Sequence, residues 1–141
     1  MAPHGARYIE NQVLSADPVG LVVLLYEGAI EALLRARTSL QEGNIPERSA
    51  AISKAMEIVL ELQSSLDHEN GGEIANGLVQ LYSYIQERLA VANAQQQPAP
   101  LEEALNLLMV VYESWKEIAA EPKAPLPAGG AISCEPVCQM L

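Results

Sequence analysis

Apolar residues recur at three- and four-residue steps in four separate segments of this chain, and proline or glycine punctuates the gaps between them. This spacing places side chains on one face of an α-helix, which has about 3.6 residues per turn. A chain of 141 residues is long enough for one domain with a real core. The pattern predicts an all-α fold: an antiparallel up-down four-helix bundle with a short N-terminal capping segment. The predicted buried stripes are Val22, Leu25, Ala29, Ala32, Ala36 and Leu40; Ile52, Ala55, Val59, Leu62 and Leu66; Ile74, Leu78, Leu81, Ile85, Leu89 and Ala92; and Leu101, Leu105, Leu108, Tyr112, Trp115 and Ala119.

Capping residues and helix breakers set the predicted boundaries. Asp17 followed by Pro18 is typical of a helix start, because a carboxylate can accept the free backbone N–H groups and proline tolerates the first helical position. Asn44 favours a second start, and Gly71-Gly72 favours a helix end. The predicted parts are an N-terminal arm or cap at 1–16, a bundle at 17–120 with helices at about 17–42, 45–69, 73–94 and 100–119, and a flexible tail at 121–141.

The fourth predicted helix carries more apolar residues than one bundle-facing stripe requires. Leu107, Met109, Val110, Val111 and Ile118 cover much of its remaining circumference. A helix that is hydrophobic nearly all round must be buried nearly all round, yet each helix of a four-helix bundle has an outer face. We therefore expect part of this helix to be covered by something else, either the N-terminal arm or a partner protein.

The N-terminal arm is amphipathic and detached from the first helix. Its apolar residues are Tyr8, Ile9, Val13 and Leu14, and the Asp17-Pro18 pair separates them from the helix that follows. Such a segment needs an apolar surface to lie against. The sequence leaves open whether that surface belongs permanently to this chain.

Gly28 lies inside the first predicted helix, where glycine costs about 1 kcal/mol relative to alanine. Two explanations remain open at this stage. A neighbouring helix can approach closely at this position, or the missing side chain can leave a notch for a ligand segment.

Charge and composition exclude several classes of partner. The net charge is −10, with 18 acidic against 8 basic residues and no cluster of Lys or Arg, so nucleic acid and anionic membrane surfaces are poor partners. No run of about 18 apolar residues is available to span a membrane, and the N-terminus lacks the apolar core of a signal peptide. We expect a cytoplasmic protein without membrane insertion. Cys134 and Cys138 both fall in the last eight residues and cannot staple the domain.

No constellation of residues indicates catalysis or a metal. His68 has Ser65 three residues before it, so the Glu-x-x-His pair of di-metal bundles is missing. The segment 67–73 resembles a calcium loop only faintly, because it lacks the acidic spacing and the final glutamate. Cys134 and Cys138 have no further thiol or nearby histidine to complete a metal site. We therefore predict no enzyme activity, no metal and no cofactor.

An ordered set of short motifs resembles a known family. The motifs are Tyr8-x-x-Asn11-x-Val13, Ser15-Ala-Asp-Pro18, Leu24-Leu-Tyr-Glu-Gly-Ala-Ile30, Ile52-Ser-Lys-Ala55, Glu61-Leu-x-x-Ser-Leu-Asp67, Gly71-Gly-Glu73, Leu81-Tyr-x-Tyr84 and the closing Leu107-Leu through Trp115. Together they resemble the flagellar export chaperone family FliS over about residues 8–119. The resemblance implies an antiparallel four-helix bundle that binds the C-terminal region of newly made flagellin in the cytoplasm. Such a protein prevents premature polymerisation and supports delivery to the flagellar type III export apparatus.

The resemblance also suggests which residues meet the partner, because in that family the segment before the first long helix can cover part of the flagellin-binding surface. The candidate residues are Tyr8, Ile9, Val13 and Leu14 as the cover, and Tyr26, Ile30, Met109, Val110 and Tyr112 as the groove. For Tyr26 and Tyr112, plain core packing is the alternative. The linker 95–100, Gly77 and the tail beyond Glu121 depart from the family pattern.

The expected partners are the C-terminal segment of flagellin and components of the flagellar export gate, for a protein that is a monomer or a weak homodimer. The competing hypothesis is a self-associating structural bundle without a client, in which the surplus surface of the fourth helix makes a homodimer. A regulatory phosphotransfer domain is a weaker alternative, because it needs an exposed histidine in mid-helix and His68 is at a helix end.

Overall fold

The computed structural model describes residues 18–120 and folds them into four α-helices. The helices are α1 Pro18–Gln41, α2 Ile45–Ser64, α3 His68–Gln95 and α4 Pro98–Ala120, and no strand occurs within this range. The all-α, four-helix prediction is confirmed. The predicted arm at 1–16 and the predicted tail at 121–141 lie outside the described residues.

The four helices run alternately up and down. Helix α1 packs against α2 and α4, and α3 packs against the same two neighbours. Two side-chain contacts show the direction of α4 relative to α1. Arg37 meets Glu102, whereas the earlier residue Glu27 meets the later residue Tyr112, so α1 and α4 are antiparallel. We call the end of the bundle that holds the first residues of α1 and the last residues of α4 its lower end.

The junction between α2 and α3 differs from the prediction. Helix α2 ends at Ser64 rather than near residue 69, and α3 begins at His68 rather than at Glu73. The reason is Asp67, whose carboxylate accepts the backbone N–H groups of Glu69 and Asn70 at 3.1 Å each and so caps a new helix. Gly72, with φ 55° and ψ −129°, makes a kink inside α3 instead of ending a helix.

The core matches the predicted stripes on α1 and α2 more closely than those on α3. Every residue of the second predicted stripe, from Ile52 to Leu66, is buried, although Leu66 lies just beyond the end of α2. On α3 the prediction was wrong at Ile74, which is 44% exposed, and Leu78 and Leu81 are only partly buried. Ala75 and Tyr82 are buried instead, because the face of α3 that carries Tyr82 is turned toward the bundle centre.

Tyr26 and Tyr82 meet across the bundle centre. Their hydroxyl oxygens are 2.7 Å apart, and the Tyr26 ring centroid is 6.4 Å from that of Tyr82 and 6.4 Å from that of Trp115. The hydrogen bond satisfies two hydroxyl groups that would otherwise be buried without partners. Tyr84, two residues after Tyr82 on α3, is by contrast 41% exposed.

Gly28 is explained by the close approach of α2. A Cβ built at this position would lie 3.3 Å from Cδ1 of Ile58, which is tighter than an ordinary van der Waals contact. The first of the two explanations is therefore confirmed: the glycine admits an α2 side chain.

Candidate functional site: an apolar surface along the fourth helix

Helix α4 leaves part of its surplus apolar surface open. Its buried residues are Pro100, Leu101, Ala104, Leu105, Leu108 and Trp115. Met109 is 45% exposed and Val110 is 68% exposed, although both lie in the middle of the helix. The four described helices therefore do not hide all of the apolar residues of α4 among themselves.

The α1 side of this surface is fixed by two polar contacts. Arg37 Nη1 lies 3.1 Å from Glu102 Oε1, and the Tyr112 hydroxyl donates a hydrogen bond of 2.7 Å to Glu27 Oε2. In antiparallel helices this register places Ile30 at the height of Met109, since each lies three residues inward from the Glu27–Tyr112 contact. The structure thus brings Ile30, Met109 and Tyr112, three of the predicted groove residues, to one seam.

The α3 side is fixed by Glu103. Its Oε2 accepts a hydrogen bond of 2.6 Å from the Tyr84 hydroxyl, and its Oε1 lies 3.1 Å from Arg88 Nε. Val110 is 68% exposed and, at about 100° per residue, lies nearly opposite the buried residue Leu108, so it is on the outward face of α4. Met109 lies between this outward face and the seam with α1.

Two residues of α3 extend this surface, and sequence reasoning did not assign them to it. Gly77 precedes Tyr84 by seven residues and so faces the same seam; a Cβ built there would meet nothing within 4 Å. Ile74 lies about one turn further down and is exposed. The available signal was Gly77 itself, which stood out as a departure from the family pattern in the middle of a helix.

The polar rim of the surface is held in place by Tyr112. Loss of solvation, followed by the hydrogen bond to Glu27, raises the pKa of Tyr112 to about 12. The hydroxyl therefore remains protonated at neutral pH and continues to donate to Glu27. Lys116 Nζ lies 4.7 Å from the centre of the Tyr112 ring, within the range of a cation–π contact. The Tyr112 side chain is half-buried, so this burial fits both the predicted groove role and the alternative of core packing in part.

Tyr26 does not reach the surface. Its side chain is completely buried and its hydroxyl bonds to Tyr82, so it can support a partner-binding surface only from behind. Burial raises the pKa of Tyr26 to about 12, against the opposite effect of the hydrogen bond to Tyr82. The four predicted cover residues, Tyr8, Ile9, Val13 and Leu14, lie outside the described residues.

A hollow of about 530 Å³ opens at the lower end of the α1–α4 seam. Its lining residues are Val23, Glu113, Lys116, Glu117, Ala119 and Ala120. Helix α1 begins at Pro18, five residues before Val23, so the chain that precedes α1 joins the bundle beside this hollow.

The described residues offer little for other kinds of site. Between residues 18 and 120, no group of three or more His, Cys, Asp or Glu side chains is arranged to hold a metal ion. Within the same range, no helix is both long enough and apolar enough to cross a membrane.

The fold and the exposed surface define the class of the protein: an antiparallel four-helix bundle with an apolar surface along its fourth helix. A family model of the flagellar protein FliS matches residues 1–122. The flagellar secretion chaperone FliS of Salmonella typhimurium (strain LT2) is 42% identical over 117 residues, which cover 82% of this chain and 85% of that protein. The flagellar secretion chaperone FliSB of Pseudomonas aeruginosa (strain PAO1) is 40% identical over 111 residues, covering 79% of this chain and 88% of that protein.

Similarity extends to a relative with lower sequence identity. The flagellar secretion chaperone FliS of Bacillus subtilis (strain 168) is 26% identical over 124 residues, covering 87% of this chain and 92% of that protein. The chain therefore belongs to the FliS family of flagellar secretion chaperones. The resemblance seen in the sequence motifs is confirmed. These relatives are named as chaperones and not as enzymes.

Proposed function

We propose that this protein binds the disordered C-terminal region of flagellin in the cytoplasm, prevents its premature polymerisation and supports its delivery to the flagellar type III export apparatus. The observation that carries the proposal is the exposed apolar surface at Met109 and Val110 in a member of a flagellar secretion chaperone family. The protein acts as a binding module without catalysis. The export gate is a second proposed partner, which receives the loaded chaperone.

The surface suits an amphipathic helix as its ligand. It runs along the outward face of α4 at Val110, with Ile30 and Met109 toward α1 and Gly77 toward α3. A segment that is disordered when free can fold against such a surface and bury its own apolar face there. The methionine suits this role because its unbranched side chain adapts to different ligand shapes.

Chaperoning in this mechanism is mass action and needs no ATP. A bound flagellin C-terminal region is withdrawn from filament assembly, so the concentration of assembly-competent flagellin falls with the fraction bound. The residues that drive polymerisation stay covered until the client is released.

The N-terminal arm is proposed as a competing intramolecular ligand. The hollow between α1 and α4 supports this role, since it lies beside Pro18, where the arm joins the bundle. Tyr8, Ile9, Val13 and Leu14 would supply the apolar contacts. An arm that covers the surface in the absence of client limits self-association. It also weakens the apparent affinity for client, because only molecules whose surface is uncovered can bind client.

Calorimetry with a peptide from the flagellin C-terminus tests the proposal. The double variant Met109→Glu/Val110→Glu should keep its stability within about 1 kcal/mol, because both side chains are exposed. The same variant should lose binding of the peptide. Ile45→Glu is the matched control, since Ile45 is 48% exposed at the start of α2 and its replacement should leave binding unchanged. Undiminished binding by the double variant would remove this surface from the site.

The competing function is a structural bundle that self-associates through the same surface. Exposed Met109 and Val110 would serve equally well as a homodimer contact. Light scattering with and without the peptide separates the two functions. A dimer that persists unchanged at saturating peptide favours the structural bundle, whereas a complex of one chaperone with one client favours the export chaperone.

A further inference from the structure

A polar belt crosses the apolar seam between α1 and α4 partway along its length. It consists of Glu27, Tyr112, Glu113 and Lys116. The Tyr112 hydroxyl donates to Glu27 Oε2 at 2.7 Å, and Lys116 Nζ lies 3.2 Å from Glu113 Oε1 and 4.7 Å from the centre of the Tyr112 ring. Glu27, Glu113 and Lys116 are exposed, so the belt is open to a ligand that lies in the seam.

Apolar residues continue the seam above and below the belt. Above it are Ile30 and Leu34, and Leu34 is 39% exposed. Below it, Val23 lines the hollow at the lower end of the seam. The order Val23, Glu27, Ile30, Leu34 has steps of four, three and four residues, so these side chains form one stripe along α1. A ligand helix that follows this stripe must pass over the Glu27 carboxylate.

The charges of the belt do not balance. Lys116 pairs with Glu113, whereas Glu27 receives only a hydrogen bond from a neutral hydroxyl group. Between residues 18 and 120, no Lys or Arg side chain lies within ion-pair distance of Glu27. Glu117 adds another carboxylate to the hollow just below. The seam is therefore negatively charged where it is crossed by the belt.

A ligand helix that covers the belt removes water from the Glu27 carboxylate. An ionised carboxylate taken out of water is strongly destabilised unless a cation and hydrogen-bond donors replace that water. The single Tyr112 hydroxyl replaces only part of it, whereas a lysine or arginine of the ligand supplies a charge-assisted hydrogen bond. A ligand without such a cation leaves the charge unpaired. Glu27 can therefore discriminate among amphipathic helices that are equally apolar.

We propose that this seam selects client helices in which a lysine or arginine lies between two apolar residues, one turn before it and one turn after it. The cation pairs with Glu27, and the apolar residues pack beside Ile30 and in the hollow beside Val23. With a rise of about 1.5 Å per residue, Glu27 lies about 4.5 Å below Ile30 and about 6 Å above Val23, which matches three- and four-residue steps of a ligand helix. The inference rests on the proposed function, because it specifies which client segment the flagellin-binding surface accepts.

Calorimetry of the full chain with the flagellin C-terminal peptide tests the role of Glu27. Glu27→Gln removes the charge, while the amide oxygen can still accept the Tyr112 hydrogen bond. Glu61→Gln is the matched control, since it makes the same change in net charge at an exposed position of α2, which does not border the seam. We expect Glu27→Gln to raise the Kd at least about tenfold and Glu61→Gln to leave it within about twofold. Thermal melting verifies that both variants are folded.

The cation in the client is found with peptide variants in which each lysine or arginine is replaced singly by glutamine. One replacement should weaken binding to the unmodified chain at least about tenfold and leave binding to Glu27→Gln nearly unchanged, which is the signature of a direct pair in a double-mutant cycle. Glu27→Lys should bind the peptide that carries glutamate at this position more tightly than it binds the unmodified peptide. The measurements on the unmodified chain stand even if a Glu27 variant fails to fold.

The outcomes separate this inference from the proposed function. Equal Kd values for Glu27→Gln and Glu61→Gln, or no peptide cation coupled to Glu27, would overturn cation selection. The proposed function would survive that result if Met109→Glu/Val110→Glu still abolishes binding. Absence of binding between the peptide and the unmodified chain would overturn both. A homodimer that persists at saturating peptide would mean that a second copy covers the seam, and it would also overturn the inference.

Discussion

At the scale of single residues, Tyr26 and Tyr82 place two hydroxyl groups in a core that is otherwise almost entirely hydrocarbon. Each satisfies the other at 2.7 Å, and both side chains are buried. Such a pair fixes how α1 and α3 face each other, because rotating either helix would leave a buried hydroxyl group without a partner. The bond therefore contributes more to the specificity of packing than to its net free energy.

Removing one hydroxyl group of this pair should destabilise the fold. Tyr82→Phe leaves the Tyr26 hydroxyl buried without its partner, and we expect the free energy of unfolding to fall by about 1–3 kcal/mol. Urea denaturation measures the change. The double variant Tyr26→Phe/Tyr82→Phe is the control and should cost less than the sum of the two single variants, since no unpaired hydroxyl remains. Additive single costs would contradict a direct interaction.

The same pair predicts a loss of stability in alkali. Burial raises the pKa of Tyr26 to about 12 and holds the pKa of Tyr82 well above its ordinary value. An unfolded tyrosine releases its proton near pH 10, so above that pH the native state binds more protons than the unfolded state. The stabilisation is fully present below about pH 10 and is lost as the pH rises toward 12, with a slope of about 1.4 kcal/mol per pH unit for each tyrosine. Thermal melting between pH 8 and 11.5 should show this slope. The double phenylalanine variant should reduce it to the part that Tyr112 contributes, because the pKa of Tyr112 is also raised to about 12.

Two glycines of α3 should respond in opposite directions to alanine. Gly77 has open space around it and no positive φ, so Gly77→Ala should raise the free energy of unfolding by about 0.5–1 kcal/mol. Gly72 has φ 55°, which an L side chain adopts poorly, so Gly72→Ala should lower it. Chemical denaturation of both variants gives the comparison. Stabilisation by both would mean that the kink at Gly72 is not required.

At the scale of helices, α3 and α4 share one property: each carries more apolar residues than its core stripe can bury. Ile74 on α3 and Val110 on α4 are the most exposed examples on the two helices. Helix α2 buries its predicted stripe fully, yet its Ile45 and Leu60 are 48% and 59% exposed. On α4, by contrast, the exposed pair Met109 and Val110 is adjacent and lies in the middle of the helix.

The upper ends of α2 and α3 are joined by a polar contact that should be important for stability. Buried Arg48 donates from Nε to Asn93 Oδ1 at 3.3 Å and from Nη2 to Asn93 O at 3.2 Å, and Ser49 Oγ donates to the same Oδ1 at 3.0 Å. Asn93→Ala removes Oδ1 and should lower the free energy of unfolding by about 1–3 kcal/mol. Asn106→Ala, at an exposed position of α4, should change it by less than about 0.5 kcal/mol. Equal effects in denaturation would show that this contact contributes nothing specific.

At the scale of the whole molecule, the described helices form a closed arrangement in which each packs against two neighbours and the core runs through all four. The covering role proposed for the segment before α1 requires that these four helices fold without it.

Deletion of residues 1–15 tests that requirement. The shortened protein keeps Asp17 and Pro18 at the start of α1, and we expect it to remain helical and to melt cooperatively. It should expose more apolar surface and self-associate more strongly, as measured by light scattering against the full chain. Loss of helicity and of cooperative melting would instead make the arm part of the core.

Much of the fold could be predicted from local patterns, because helix periodicity and capping depend on residues close in sequence. Asn44 shows this well: it was predicted to start a helix, and its side chain accepts the Glu47 backbone N–H at 3.2 Å. The start of α3 was predicted at residue 73 instead of His68, because two local signals compete there. Asp67 favours a helix start, whereas Gly71-Gly72 favours a helix end. The structure shows that the cap prevails and the glycines only bend the helix.

The candidate site could be predicted in part. The sequence indicated that α4 has surplus apolar residues, and Met109 and Val110 are indeed exposed. It left Tyr26 open between groove and core, and it placed Ile74 wrongly, since each lies on a face whose direction depends on how the helix is rotated against its neighbours.

The sequence alone determined the number of helices, their character and the excess of apolar residues on α4, because each follows from the spacing of side chains along one helix. The tertiary structure decided which apolar residues remain open, among them Met109, Val110 and Ile74, and which tyrosines are buried. The physical reason is that helix rotation is set by contacts between distant residues, above all the hydroxyl pair of Tyr26 and Tyr82, 56 positions apart.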